Sequence, residues 1–311
     1  MTQEVAEKEA IDAMKPFKVK FKEIHWWTLY TIGQRIAETF ATKDRIFLCG
    51  DAAHTHSSGA AQGLNTGIHD AVNLGWKLAL QIRGVTQPGV LETYSPERMS
   101  AVQKLLDYDK DISILMSHKW PSWYKGDKTA DPYLLLGEIF ESAASFNTGL
   151  GISYQSNVIN QAARVKLSIA PGSRPPDVAL TTPGTNANVR FQRVTRNMAK
   201  FWVVVCTGNL EVTRPALLRL ENFISSAGEL TSNTAIGWLT ISPTVGCSPY
   251  EALGMKPFGE TYFDPTNVVH EKLGIDPGQG SVLILRPDGL VGCSGPIEGS
   301  WIQGYFAKIM R

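Results

Sequence analysis

The 311-residue sequence has no excess of charge of either sign: 30 Lys and Arg stand against 29 Asp and Glu, a formal net charge of +1. That balance argues against a chain built to neutralise nucleic-acid phosphates or an anionic membrane surface. No apolar run approaches the roughly 18 residues that a membrane-spanning helix needs. The opening MTQEVAEKEAIDAMK is polar and acidic, unlike a secretory signal or an Arg-rich transit peptide. Cysteine is scarce: Cys49, Cys206, Cys247 and Cys293 are far apart and form no C-x-x-C. Their mostly apolar flanks predict buried free thiols in a reducing, cytoplasmic setting, and argue against a disulfide framework or a zinc site. Internal repeats and low-complexity tracts are missing. So is any G-x-G-x-x-G turn between a strand and a helix, the usual cradle for a dinucleotide pyrophosphate; Gly149–Gly151 and Gly278–Gly280 stand in the wrong context.

What is present is ordinary globular composition, 43% hydrophobic and 19% charged, in a chain long enough for about two domains. Periodicity predicts a helix over Thr2–Met14, then a half-exposed strand in which Phe17, Val19 and Phe21 alternate with lysines. A strand-like stretch covers Ile24–Ile32, and Arg45–Cys49 reads as a short buried parallel strand ending at Gly50. A long helix is predicted from Gln62–Asn65 to about Arg83, with Ile68, Ala71, Val72, Leu74, Leu78 and Leu80 inside and Gly84 ending it. Helical stretches follow at Val90–Tyr94, Pro96–Met116 and Leu134–Phe146. After the Pro- and Gly-rich APGSRPPDVALTTPG (170–184) come a strand (Phe201–Val205), a helix (Thr213–Ala227), a strand (Ala235–Ile241) and a helix (Val268–Leu273). A hairpin through Arg286-Pro287-Asp288-Gly289 closes a thioredoxin-like order.

The stretch LCGDAAHTHSSGAAQGLNTGIHDAVNLGWKLAL (48–80) carries the chemistry. Asp51 lies just past the carboxyl end of a predicted strand, where α/β sheets place ligands, and its carboxylate suits a polyol. Gly59, Gly63 and Gly67 allow backbone N–H groups to approach a flat ligand. The helix behind them directs its positive end at the same point, worth roughly 0.3–1 kcal/mol to a partial negative charge.

These residues resemble the second FAD-binding motif of class A flavoprotein aromatic hydroxylases, the phenol 2-monooxygenase group. The matching elements are Gly50-Asp51-Ala52-Ala53-His54, Gln62-Gly63-Leu64-Asn65, and Asp70 with Asn73-Leu74-Gly75-Trp76-Lys77-Leu78-Ala79. Trp26-Trp27 through Tyr30, Ile32-Gly33-Gln34-Arg35, Glu97-Arg98, Pro171-Gly172 with Arg174, and Arg286-Pro287-Asp288-Gly289 extend the likeness over nearly the whole chain. The resemblance implies an α/β fold: a truncated flavin-hydroxylase (p-hydroxybenzoate-hydroxylase-like) core at 1–118, a connecting segment at 119–168 and a thioredoxin-like domain at 169–311. By the same resemblance Gly50 and Asp51 hold the ribityl chain of FAD, and the backbone of Gly63, Leu64 and Asn65 faces the flavin pyrimidine edge. NAD(P)H enters only where FAD is bound. The family pattern begins with a pyrophosphate-binding half that this sequence does not contain. Ser58 stands where the family has Pro, and Ala61 replaces a loop glycine. Both departures, with the missing half, imply weakened or lost FAD binding.

Within this frame His56 and His69 are candidate acid–base groups, since histidine titrates near neutrality. Tyr30 and Arg35 are candidates for the wall of an aromatic-substrate pocket between the loop and Trp26–Tyr30. No metal site is expected from His54-x-His56. Three functions stay open: an FAD-dependent aromatic monooxygenase acting on a phenolic or polyketide-like molecule, with a separate chain supplying the first half; a cofactor-independent isomerase, dehydratase or cyclase using the vacated cavity; or a non-catalytic dimerisation or binding module. A homodimer is expected in each case.

Overall fold

The computed structural model describes residues 2–28, 33–43 and 45–311. Helix α1 (Gln3–Ala13) forms where predicted but buries none of its residues. The expected strand around Phe17–Phe21 does not form, nor does one over residues 24–28; no described segment lies alongside to pair with them. Residues 29–32, including Tyr30 and the end of the predicted strand, lie outside the described residues.

Two small antiparallel ladders follow. β1 (Arg35–Ile36) pairs with β4 (His54–Thr55), and β2 (Ala41–Thr42) pairs with β3 (Ile46–Phe47). The buried parallel strand predicted at Arg45–Cys49 is thus corrected to two residues of an antiparallel ribbon, with Ile46 exposed. Helix α2 (Gly63–Ile82) runs as predicted, and Gly84 ends it at φ 69°. Its facing differs from the prediction: Ile68, Ala71 and Val72 are exposed, while Thr66, Asp70, Asn73, Trp76, Lys77 and Leu80 are buried. Helices α3 (Pro88–Glu92) and α4 (Tyr94–Met116) pack beside it, Pro88 sitting at a helix start where its missing N–H costs nothing. Asp131 caps α5 (Pro132–Ser142) through the Tyr133 N–H, and α6 (Ala144–Asn147) follows.

The second half is built on one sheet. After β5 (Ala179–Thr181), β6 (Asn188–Arg190) and α7 (Phe191–Val194) come β7 (Phe201–Cys206), α8 (Leu210–Ser226), α9 (Glu229–Ser232), β8 (Ile236–Ser242), α10 (Pro249–Leu253) and β9 (Glu260–Phe263). α11 (Val268–Leu273), β10 (Ser281–Leu285), β11 (Val291–Gly295) and α12 (Gly299–Ile309) complete the chain. The strand order is β11-β10-β7-β8-β9-β5-β6; β7, β8 and β9 run parallel, and β10 runs antiparallel to both β7 and β11. Each of the six residues of β7 is buried, as a strand covered on both faces requires. Phe201, Val203 and Val205 meet α8 and α12; Trp202, Val204 and Cys206 meet α11. Trp76 and Leu80 of α2 and Val90 of α3 join the first of these cores. Cys206 and Cys293 are buried free thiols, whereas Cys247 is exposed, against the expectation from its flanks.

Candidate functional site

The loop before α2 is shaped by buried carboxylates. Gly50 adopts φ 60°, a left-handed turn that glycine takes without strain, and its N–H donates to Asp70 at 2.9 Å. The same carboxylate meets His54 Nε2 at 2.9 Å and Arg98 Nε at 2.6 Å, while Arg98 also donates to the Tyr154 hydroxyl at 2.9 Å. Burial alone would raise the Asp70 pKa, but the bonds from His54 and Arg98 outweigh it and hold it below the usual carboxylate value. Asp109, fully buried, accepts from the Ser57 N–H at 2.7 Å, from the Ser57 hydroxyl and from Gln34 at 2.7 Å, pinning the loop from its other side.

These anchors present a depression of about 460 Å3 lined by Asp51, His56, Ser58, Ala61, Gly63 and Leu64. Asp51 is exposed and makes no side-chain hydrogen bond among the described residues. The side chain of Gln62 does not cap α2, so the first-turn N–H groups of Gly63, Leu64 and Asn65 are free for a ligand. His56 donates from Nδ1 to the Ser57 carbonyl at 2.8 Å, and its Nε2 has no hydrogen-bond partner among the described residues. A Cβ placed at Gly63 would stand 3.7 Å from that Nε2, so the ring borders the helix start. Ala61 holds φ 51° in the loop, a conformation that costs an alanine roughly 1 kcal/mol.

Residues 2–109 match the model of an FAD-binding domain, and residues 255–311 match that of the phenol hydroxylase C-terminal dimerisation domain. A phenol 2-monooxygenase of Aspergillus fumigatus is 28% identical over 305 residues, covering 89% of this chain and 50% of that protein. The 3-hydroxybenzoate 4-monooxygenase of Comamonas testosteroni is 29% identical, covering 96% of this chain and 53% of the relative. The chain is similar to phenol hydroxylase-like FAD-dependent aromatic monooxygenases. It spans about half the length of the curated relatives it matches. Among solved structures, a ternary complex of aklavinone-11 hydroxylase with FAD and aklavinone has the same fold over 99% of this chain and 51% of the other, at a TM-score of 0.65 and 20% identity.

The donor set fits one end of FAD. Asp51 can accept from ribityl hydroxyls, and the open first turn of α2 can donate to a pyrimidine carbonyl. No G-x-G-x-x-G turn is present to receive the pyrophosphate.

The structure does not gather every candidate around this depression. His69 lies two turns along α2 against Gly149 and lines a different cavity; burial, then Arg98 and Arg174, push its pKa down. Arg35 is exposed on β1, paired with Thr55 beside His56. Trp26 and Trp27 line a third depression with Ala6 and Ala10 of α1, away from the glycine-rich loop.

Sequence reasoning missed the buried polar face of α2. Glu97 of α4 accepts from Lys77 at 2.7 Å, from Arg286 at 2.6 and 3.0 Å, and from Asn73 at 2.8 Å. Asn157 and Asn160 add bonds at 2.9 and 3.1 Å. Arg286 also pairs with Asp288 at 2.6 Å, and Asp288 accepts from the Trp76 indole at 3.1 Å. Burial pushes Lys77 down to about 8 while Glu97 pulls it back up. The signal was in the sequence: Asp70, Asn73 and Lys77 recur at i, i+3 and i+7, one face of a helix.

Proposed function

We propose that this chain forms the ribityl and pyrimidine side of a flavin site in a monooxygenase of phenolic or polyketide-like substrates, and that the 311-residue polypeptide alone holds FAD weakly. One observation carries the reading: the uncapped start of α2 opens onto the same depression as Asp51 and His56. Bound FAD, reduced by NAD(P)H, would supply the oxygen-transfer chemistry of the family. Asp51 binds ribityl hydroxyls, and the Gly63, Leu64 and Asn65 N–H groups favour negative charge at the pyrimidine edge. His56, whose Nε2 has no partner among the described residues, is the acid–base group in this reading, while His69 lines another cavity. A cofactor-free cyclase would need aromatic walls on this depression, and Trp26 and Trp27 face α1 instead. The strand order β8-β7-β10-β11 supports reading the C-terminal part as thioredoxin-like, and the dimerisation-domain match supports a homodimer.

The test compares FAD with riboflavin by quenching of flavin fluorescence. With no pyrophosphate contacts, the two should bind within a few-fold of each other, and Asp51→Ala should weaken both about tenfold or more. FAD retained stoichiometrically through purification, or bound a hundredfold tighter than riboflavin, would refute weak half-site binding. An unchanged affinity in Asp51→Ala would refute the site.

A further inference from the structure

The middle of α2, the loop around Arg174, the end of α7 and the Arg286–Gly289 turn enclose a separate cavity of about 340 Å3. Part of its wall is apolar, formed by Ile68, Val72 and Pro287; the rest presents His69, Arg174 and Arg196. Ile68 and Val72 are 51% and 39% exposed, unusual for aliphatic side chains on a helix whose opposite face is charged. Neither guanidinium has a carboxylate partner among the described residues. The wall's one carboxylate, Asp288, is already taken by Arg286 and the Trp76 indole.

The arrangement is built rather than incidental. Arg174 is half-buried, and its Nη1 lies 3.0 Å from where a Cβ would stand at Gly289, so the guanidinium lies over a turn that only glycine leaves open. The His69 ring is likewise admitted by Gly149, where a Cβ would come within 2.6 Å of Nε2. Two unneutralised guanidinium forks beside an exposed aliphatic wall match a ligand with a planar anionic head and an apolar body. The volume falls within the range of small-molecule sites.

We propose that this cavity binds a small organic carboxylate, its head between Arg174 and Arg196 and its body on Ile68 and Val72. The occupant would bridge α2 to the C-terminal sheet at a place the flavin reading does not use. The inference stands independently of that reading. Around His69 the charged groups are Arg98 of α4, Arg174 of the loop, Asp70 of α2 itself, and Arg196 and Asp288 across the cavity. A carboxylate on Arg174 would offset one of the charges that depress His69.

The probes are sodium benzoate, neutral benzyl alcohol of the same shape, and inorganic phosphate, titrated into the 311-residue chain by calorimetry and by NMR of the His69 ring. Benzoate should bind saturably and raise the His69 pKa. Arg174→Gln and Arg196→Gln should each weaken it about tenfold or more, with circular dichroism unchanged. Arg196 is exposed, so its variant tests the site even if the Arg174 variant fails to fold. Equal binding of benzyl alcohol would reduce the cavity to an apolar hollow, and phosphate binding as tightly as benzoate would remove the role of the apolar wall. Displacement of benzoate by riboflavin would place the acid in the flavin depression. Any of these, or an unmoved His69, overturns the proposal.

Discussion

Replacing Glu97 by Gln and Arg286 by Met, singly and together, tests whether the two halves of the chain are clamped through their buried charges. Glu97 is 3% exposed and Arg286 fully buried, with Lys77 and Asp288 completing a group of two cations and two anions. Glu97→Gln leaves one uncompensated positive charge and sets an amide donor against donors that now bond a carboxylate. Removing one partner of a buried pair costs about 3–5 kcal/mol, and each single variant should lose that much. The double variant retains Lys77 and Asp288, one charge of each sign. Its loss should therefore fall short of the sum by about 1–3 kcal/mol. The assay is urea unfolding followed by tryptophan fluorescence, with Trp76 reporting locally because its ring lies 5.7 Å from the Arg286 guanidinium. Losses that add to within about 0.5 kcal/mol would refute the clamp. So would a first unfolding step in which α2 and α4 melt while the sheet persists.

Acid should act through the same groups. Burial works to raise Glu97 and Asp70, but the Arg286 and Lys77 charges beside Glu97, and the His54 and Arg98 contacts of Asp70, hold both below their ordinary values of 4.5 and 3.8. A carboxylate depressed in the folded state stabilises above its unfolded pKa and loses that contribution as pH falls through it. Urea midpoints should thus fall below about pH 4.5, and less steeply in Glu97→Gln; midpoints that rise on acidification would contradict the assignment. With a thiol reagent Cys247 should react at once and Cys49 more slowly, whereas Cys206 and Cys293 should react only on unfolding, burial pushing the Cys206 thiol far up. Prompt labelling of all four under native conditions would show that the sheet is not closed. Light scattering at micromolar concentration should give about twice the 34.1 kDa chain mass, and a monomer mass would count against the dimer.

Much of the second half was legible because its signals are local. Phe201–Cys206 is a short apolar run bounded by polar residues, and the turn at Arg286–Gly289 announces the hairpin that follows. The glycine-rich loop and the start of α2 were legible for the same reason. What failed depended on partners. Phe17–Phe21 alternates correctly for a strand, yet alternation supplies only a face, and a strand needs a neighbour's hydrogen bonds. Ile68 and Val72 were placed inside because apolar side chains usually are. Here Asp70, Asn73 and Lys77 take the interior, a choice made affordable by carboxylates and guanidinium groups far along the chain. His56 and His69 look like neighbours in the sequence, but two helical turns carry them to different cavities.

The inverted facing of α2 has a consequence for how the protein is made. A helix that shelters polar groups and shows aliphatic ones to water gains little by collapsing early. Glu97 and Arg286 are 189 residues apart. At the roughly 5–20 residues per second of translation, Glu97 is synthesised about 10–40 s before its partner. Throughout that interval the polar face of α2 is better left wet, and Trp76 and Leu80 wait uncovered for the core they share with Phe201 and Val203. The nascent chain is therefore most in need of a chaperone over its first half, and release comes when the Arg286–Gly289 turn closes the lock.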